Sequence, residues 1–557
     1  HAVVLLLVVF AANSMIHTAH SAFLIRRFRW LRSLPPPRST SVLVENIPSD
    51  LCSDHELKAY FGRMFSEDRI MSAYVVKKSD TLLSLTKQLR DVEEQRDEAI
   101  NVWAKNGRKP SERPMHRVIG RGYVDTLTDC NEAILHLTDL VREERYRLET
   151  AGCGDYRALA NTGFVTFHVR RDAEIALKLA YRADKAEFVM TVPPDPADVR
   201  WSDLKSGSTS KAIKKHLGYL CVFGLYLGYM PITIGINSLT NLEAMRQLIP
   251  AVNAFVNKFP DLAHGVEGAF ASLALTIFFS FLPSFLMVIF DKFFVLRAEA
   301  WAQHKLQIWY FWFQVVFIVL VTSIGTSAFR TFELLAKHPF DVAGILADSM
   351  PQATHFYLNF MAMQWMTHAL NLTRYINLGK YLLCRTFASP ERAKEMSEPE
   401  DQDYYGFGSR SARFAINMVT ALVFCSLSPL ICILTFVNFF ICRLVYGYLL
   451  IYSERRKPDL GGVFFVTQLQ HLQVGLMIYA VLMIGVFSRR SHGYWGTPGP
   501  MWVAFCALGY TLVANRNLQL YQWETLPFEE IVNDDEFKKR IANCTTYRQP
   551  ELVEPPA

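Results

Sequence analysis

The chain has 557 residues, of which 51% are hydrophobic, 13% aromatic and only 20% charged. This composition excludes a single water-soluble domain and indicates an integral membrane protein. The net charge of +6 gathers beside hydrophobic segments, at residues 26–32, 211–215 and 455–457, as in cytoplasmic flanks of membrane helices, so nucleic acid is a poor explanation of it.

The first predicted element is a membrane helix over residues 1–25, which is followed by a basic cluster. A secretory signal peptide carries its positive charge before the apolar segment, so this segment does not fit that class. The chain also begins without Met. We therefore expect a fragment that lacks an upstream part.

Residues 26–215 are predicted to form a cytosolic α+β domain. The pattern predicts strands at 41–46, 70–76 and 163–168, and helices at 54–65 and 173–182. Between them lies a helical insertion, in which a charged helix over 80–103 has near-heptad spacing and needs a partner such as 131–150. The order of these elements resembles an RNA-recognition fold with a helical insertion.

RNA binding is nevertheless disfavoured by the sheet residues. Residues 163–167 fit the second half of the RNA-binding octamer, but Ala160, Asn161 and Thr162 stand where a basic residue, a glycine and an aromatic are required. Leu43 takes the place of a stacking aromatic in the first strand. Without a pair of stacking rings, single-stranded RNA has no platform. We expect a protein-docking module and no nucleic-acid partner.

Eight more hydrophobic segments follow, each near the roughly 20 residues that a membrane crossing requires. They are predicted at 216–241, 266–290, 306–329, 350–378, 412–428, 429–452, 463–487 and 499–517. With the first helix they give about nine crossings. The predicted domains are a transmembrane helix at 1–25, the cytosolic domain at 26–215, an eight-helix transmembrane pore domain at 216–520 and a cytosolic tail at 521–557.

The segment from Met350 to Lys380 is unusually polar for a membrane helix. A helical wheel places His355 and Asn359 on one face and Gln364, His368 and Asn371 roughly opposite. A straight helix cannot turn both sets toward one site. The pattern therefore predicts a break, a π-bulge or a change of neighbours between residues 360 and 364.

Several motifs resemble those of the OSCA family of calcium-permeable stress-gated (osmosensitive, mechanosensitive) cation channels. Residues 198–204, Asp-Val-Arg-Trp-Ser-Asp-Leu after a proline-rich stretch, resemble the signature before the family's third membrane helix. Residues 281–287, 407–431 and 446–462 resemble further family segments. The resemblance covers nearly the whole chain and implies an N-terminally truncated eleven-helix channel with an anoctamin-like fold.

The resemblance also implies a homodimer, here expected through the cytosolic domain, with a separate pore in each subunit. The pore would be formed by the segments 216–241, 266–290, 306–329, 350–378 and 412–428. Polar residues follow helical spacing in these segments, although Ser and Thr also bond to their own backbone in membrane helices. The predicted pore-lining residues are Thr233, Asn237, Asn241, Thr276, Ser280, Gln314, Thr322, Thr326, Asn359, Gln364, His368, Asn371, Asn417 and Thr420.

We expect a mechanically or osmotically gated, non-selective cation channel that passes K, Na and Ca ions and has membrane lipids as partners. It would lie in the plasma membrane or an endomembrane. The alternative is a phospholipid scramblase that uses the same groove. No nucleotide-binding loop, metal-spaced histidine cluster or nucleophile elbow occurs in the sequence, so neither an enzyme nor a cofactor is expected.

The chain departs from its relatives in the segment 350–380. Trp365, His368 and Asn371 stand at positions where relatives often carry glycine, and Leu372 stands where plant members carry a pore-facing Glu. A glycine hinge and a strong calcium preference are therefore not expected.

Overall fold

The structure, a computed structural model, consists of two compact units. The helical unit comprises His1–Ser33 and Lys214–Leu526, and the α+β unit comprises Leu34–Ile213 and Pro527–Ala557. The residues described are 1–105, 107, 113–118, 122–155, 157–184, 186–205, 208–239, 277–321, 342–351, 353–387, 389–398, 406–490, 499–541 and 545–553. Side chains are described in these ranges except at 105, 117, 118, 122, 208–211, 230, 233–239, 320, 321, 342 and 345.

The helical unit begins with α1 (Ala2–Arg32). The helix predicted at 1–25 therefore continues through the basic cluster. Arg29 and Arg32 lie in its last turn, where positive charge interacts favourably with the C-terminal end of the helix dipole.

The α+β unit contains a four-stranded antiparallel sheet and a two-stranded hairpin. Its elements in chain order are β1 (Ser41–Glu45), α2 (Asp54–Phe65), β2 (Ile70–Lys77), α3 (Asp80–Lys105), β3 (Met115–Val118), β4 (Gly122–Asp125), α4 (Thr126–Glu149), β5 (Leu159–Phe167), α5 (Arg170–Ala176), β6 (Val189–Thr191) and α6 (Trp201–Leu204). The larger sheet has the order β2-β5-β1-β6, and β3 pairs with β4. In register, Leu43 of β1 lies opposite Phe164 of β5 and Thr191 of β6.

Local sequence explains most of these boundaries. The strands predicted at 41–46 and 70–76 and the helix at 54–65 are confirmed to within one residue. Ser53 caps α2 because its side chain accepts a hydrogen bond from the backbone N–H of Glu56. The pairing of α3 with α4 is also confirmed. Helix α4 begins five residues before the predicted start, where the Asp125 side chain accepts from Leu127 N–H.

The helix predicted at 173–182 is wrong in its bounds, since α5 ends at Ala176. Beyond it the chain turns and places Tyr181 against the core, where the Tyr181 hydroxyl donates to the carbonyl oxygen of Ala176 at 2.8 Å. Tyr181 joins a ring cluster around the fully buried Phe61. The free energy gained by burying this aromatic ring is larger than that gained by extending a short helix.

The helical unit continues with eleven helices in the described residues. They are α7 (Ser208–Leu239), α8 (Leu282–Phe293), α9 (Glu299–Gln314), α10 (Val342–Ser349), α11 (Thr354–Asn371), α12 (Tyr375–Arg385), α13 (Pro390–Ser397), α14 (Phe407–Phe424), α15 (Leu430–Tyr448), α16 (Val463–Arg490) and α17 (Gly499–Leu520). Two π-helical segments extend α9 and α15, at Val315–Val321 and Leu449–Ser453. In the described part of the chain, three helices are long and apolar enough to cross a membrane: Ala2–Arg32, Leu430–Ser453 and Val463–Arg490.

The predicted break between residues 360 and 364 is wrong. Helix α11 is continuous there, and the chain breaks instead after Asn371, where Arg374 has a left-handed backbone conformation (φ 48°). The face with Gln364 and His368 is buried, whereas His355 on the other face is exposed. Because only one face of α11 is buried, no second site requires the helix to turn.

Glycines let the helices of this unit approach closely. A Cβ at Gly408 of α14 would overlap the carbonyl oxygen of Gln303 in α9, and one at Gly475 of α16 would press on Val419 of α14. Small residues at such crossings allow tight packing where the hydrophobic effect is weak. Helices α9, α14 and α16 therefore form a closely packed group beside the candidate site.

The C-terminal residues form part of the α+β unit. Helix α18 (Phe528–Asn533) is followed by a bridge between Arg540 and Val169. Further on, Tyr547 is buried against Phe164. The segment predicted as a tail thus packs on this unit, with α18 against α5 and Tyr547 against the sheet.

Candidate functional site

Four of the predicted pore-lining residues meet at one cavity in the helical unit. Ser280 precedes α8, Gln314 ends α9, Gln364 lies in α11 and Asn417 lies in α14, and all four line a cavity of about 260 Å³. These residues are far apart in sequence but come from four of the segments predicted to form the pore. The cavity is our candidate functional site.

The cavity combines apolar walls with polar groups. Ile318, Phe360 and Ile416 supply apolar surface, and Arg413 is the charged side chain that lines the cavity within the described residues. Ligand and solute sites commonly pair apolar walls with a few placed polar groups.

Several polar atoms at this site are buried and have no hydrogen-bond partner among the described residues. They are Oε1 of Gln314 and both amide atoms of Asn417. The predicted pore-lining residue Thr420, one turn further along α14, does not line the cavity, although its buried Oγ1 also has no partner among the described residues. Asn417 is 1% exposed and Thr420 is fully buried. Burying an amide or hydroxyl without a partner costs about 1–3 kcal/mol. Water or a solute that enters the cavity would therefore form hydrogen bonds with the unpartnered groups of Gln314 and Asn417.

A π-helix begins directly after Gln314. The Tyr357 hydroxyl of α11 donates to the carbonyl oxygens of Ile318 and Val319 in this segment, at 2.5 and 3.1 Å. Tyr357 is fully buried and its ring packs on Phe424 of α14. Single turns of π-helix often occur at functional sites. Here the irregular backbone links α9 to α11 beside the cavity.

Two predicted pore-lining residues lie at a helix interface instead. The Tyr446 hydroxyl in α15 is 2.8 Å from Nδ1 of His368 and accepts a hydrogen bond from Nδ2 of Asn371, also at 2.8 Å. Both residues are buried and neither lines the cavity. Asn359 lies on another side of α11, half-buried and also outside the cavity.

The other predicted pore-lining residues cannot be placed at the site. Thr233 and Asn237 lie in α7, but their side chains are outside the described set. Asn241, Thr276, Thr322 and Thr326 lie outside the described residues.

Sequence reasoning missed a buried ion cluster near Tyr446. Arg410 of α14 donates to Glu454 from both terminal nitrogens, at 2.8 and 3.2 Å, and Lys457 donates to the same carboxylate at 2.9 Å. The Glu454 side chain is 2% exposed. The guanidinium of Arg410 also lies over the Tyr446 ring, 4.8 Å from its centroid. This cluster fixes one end of α14 to the segment that follows α15.

Sequence reasoning predicted Gln314 but missed that it belongs to a row of glutamines in α9. Gln303, Gln307 and Gln314 are buried on one face, and Nε2 of Gln307 donates to Ser411 Oγ at 2.7 Å and to the carbonyl oxygen of Phe464 at 2.9 Å. Their spacings of four and seven were visible in the sequence and place them on one side of a helix. This pattern predicts that the polar face of α9 packs against other protein segments.

Two family models match this chain. Residues 214–487 match the family model described as "Calcium-dependent channel, 7TM region, putative phosphate". Residues 39–203 match "Cytosolic domain of 10TM putative phosphate transporter". The two matches together define an integral membrane protein with a membrane-spanning region and a cytosolic domain.

Relatives with similar sequences occur in plants and yeast. The chain is 22% identical to hyperosmolality-gated Ca2+ permeable channel 1.7 of Arabidopsis thaliana over 82% of this chain and 58% of the relative. It is 23% identical to the CSC1-like protein ERD4 of Brassica juncea (82% and 65%) and 21% identical to RSN1 of Saccharomyces cerevisiae (81% and 49%). The chain thus spans less than two thirds of the length of these relatives. It belongs to the OSCA family, as its motifs predicted.

Proposed function

We propose that the protein is a calcium-permeable, non-selective cation channel that opens under mechanical or osmotic stress. The observation that carries this proposal is the convergence of Ser280, Gln314, Gln364 and Asn417 on one cavity. The names of the plant relatives, hyperosmolality-gated Ca2+ permeable channels, support the same function.

The cavity has the properties of a gated path. Ile318, Phe360 and Ile416 line the cavity with apolar surface, and apolar walls of this kind exclude water when a path between them is narrow. Widening by membrane tension admits water, which then bonds to the unpartnered amide groups of Gln314 and Asn417. Hydration of these groups lowers the free energy of the wide state and offers oxygen atoms to a passing cation.

The charges at the cavity favour weak ion selectivity. No carboxylate lines it among the described residues, and Arg413 contributes a positive charge. A ring of Asp or Glu side chains is the usual basis of strong cation selection. We therefore propose permeation by K, Na and Ca ions without strong preference for calcium.

The membrane topology remains a proposal drawn from the sequence. It has about nine crossings. The pore is formed by segments 216–241, 266–290, 306–329, 350–378 and 412–428, with Thr233, Asn237, Asn241, Thr276, Thr322 and Thr326 as further pore-lining residues. Membrane lipids surround this region, and the protein forms a homodimer through its cytosolic domain.

We further propose an RNA-recognition-like fold for the α+β unit, used for protein docking. The chain order β-α-β, then β-α-β after the helical insertion, and the sheet order β2-β5-β1-β6 support this assignment. Phe164 is the aromatic residue in the middle of β5, and it is 1% exposed and covered by Tyr547. A covered ring offers no stacking platform to RNA.

Reconstitution into liposomes tests the proposed function. We expect suction on excised patches to evoke unitary currents carried by K, Na and Ca ions, with no acceleration of lipid flipping in the same vesicles. Protein-free liposomes are the control. Lipid flipping without pressure-evoked currents would contradict the proposal and support the scramblase alternative.

A further inference from the structure

One face of the four-stranded sheet is covered by the chain's own C-terminal segment, residues 545–553. The ring of Tyr547 stacks on Phe164 of β5, with centroids 4.4 Å apart and planes within 2°. Trp201 contacts the same Phe164 ring with its centroid at 5.6 Å. The Tyr547 hydroxyl donates to the carbonyl oxygen of Pro194 at 2.6 Å. Tyr547 is 1% exposed, and its ring and its hydroxyl each contact a specific partner.

The side chain of Gln549 pairs with the backbone of Lys77 as the main chain of a neighbouring strand would. Its Oε1 accepts from the backbone N–H of Lys77 at 2.7 Å, and its Nε2 donates to the Lys77 carbonyl oxygen at 3.0 Å. Lys77 is the last residue of β2, the edge strand of the sheet. The carboxamide also accepts from the Tyr74 hydroxyl and donates to Ser79 Oγ and Glu551 Oε1. A side chain other than Asn or Gln cannot donate and accept in this way.

The segment alternates between buried and exposed side chains. Tyr547 and Gln549 are buried and Arg548 between them is exposed, as in an extended peptide with one face on a surface, and a 3-10 helix over Pro550–Leu552 follows. Two further contacts hold its end, because Ser79 Oγ donates to the Glu551 carboxylate and Arg145 Nε donates to the Glu551 carbonyl oxygen. The sheet face therefore recognises an aromatic residue, a glutamine and an acid at alternate positions.

We propose that this sheet face is a peptide-recognition site that is occupied in cis by residues 545–553 and takes the same motif from another chain once its own segment is released. The ligand class is a peptide with the pattern aromatic-x-Gln-x-acid that is extended through the glutamine and forms a short 3-10 helix at the acid. The Gln549 side chain bonds to the Lys77 backbone where the main chain of an added strand would bond, and the Tyr547 ring fills the adjacent position on Phe164. The site is independent of the cavity in the helical unit and of the proposed channel function.

The test uses the whole protein in detergent or nanodiscs and a fluorescent peptide with the sequence of residues 545–553. In hydrogen exchange, the double variant Tyr547→Ala/Gln549→Leu loses protection of its own segment by roughly 100-fold, because a buried aromatic ring and a paired amide are removed. The same variant binds the peptide, whereas the wild-type protein does not. Adding Phe164→Ala to the double variant abolishes binding.

Arg548→Ala is the matched control, since Arg548 lies in the same segment but its side chain is exposed. It keeps wild-type protection and does not bind the peptide. Unchanged protection of residues 545–553 in the double variant would overturn the proposal, and so would failure of a deprotected double variant to bind the peptide. Binding of single-stranded RNA in place of the peptide would also overturn it, because the released face would then be a nucleic-acid site.

Discussion

Replacement of Glu454 by glutamine is expected to destabilise the helical unit by about 3–5 kcal/mol. The Glu454 carboxylate accepts hydrogen bonds from Arg410 and Lys457, and the side chains of all three residues are at least 93% buried. Glutamine keeps the shape of the side chain but removes its charge. Two buried cations, Arg410 and Lys457, then lose the carboxylate that both of them bind, which costs more than the loss of one hydrogen bond.

Thermal unfolding of the detergent-solubilised protein, followed by loss of the monodisperse chromatographic peak, measures this effect. Asp348→Asn is the control, because Asp348 pairs with Arg489 at 3.2 Å with both side chains more than half exposed. Exposed pairs contribute about 0–1 kcal/mol. Equal stability of Glu454→Gln and Asp348→Asn would show that the buried ion cluster has no structural role.

Replacement of Asn417 by leucine is expected to reduce the unitary conductance about fivefold, if the loss of one polar contact raises the barrier by about 1 kcal/mol. Asn417 is almost fully buried, lines the cavity and has two amide atoms without partners in the described structure. Leucine has a similar volume, so packing is retained while the site of hydration is lost. Single-channel recording from liposome patches under suction measures the change.

Asn438→Leu provides a matched comparison. Asn438 of α15 is also fully buried and its amide atoms also lack partners among the described residues, but it does not line the cavity. We expect wild-type conductance from this variant. A similar fall in both variants would mean that the effect comes from helix packing and not from the ion path.

The polar members of the cavity could be predicted because amides are rare in apolar helices. Gln314, Gln364 and Asn417 stood out among hydrophobic neighbours, and a polar group in a membrane helix needs a protein or water partner. The same logic could not distinguish a cavity from a helix interface. His368 and Asn371 share a buried face with Gln364, yet they bond to Tyr446, which is 75 residues or more away in sequence.

The break in the segment 350–380 was misplaced for a related reason. The helical-wheel argument assumed that both polar faces of α11 contact a partner. His355 is exposed, so its polar side chain needs no protein partner. In the α+β unit, local patterns predicted the longer helices and strands well. The docking of Tyr547 on Phe164 was not predictable, because it depends on contact between residues 383 positions apart.

Likewise, the basic residues at 455–457 were interpreted only as a cytoplasmic flank. One of them, Lys457, instead forms a buried ion pair with Glu454, three residues before it. The charge pattern indicated where the membrane segment ends but not that Arg410 would approach from α14. Long-range ion clusters of this kind depend on the helix packing as a whole.

We propose that ions pass through the cavity between α9, α11 and α14. Cysteine modification at Gln364 tests this path most directly. A cationic thiol reagent applied to Gln364→Cys channels, opened by suction, is expected to remove most of the unitary current. Neither the wild-type protein nor Met366→Cys, at a residue 57% exposed on another side of α11, should respond. An unchanged conductance after mass spectrometry has shown full modification of Cys at position 364 would contradict the claim.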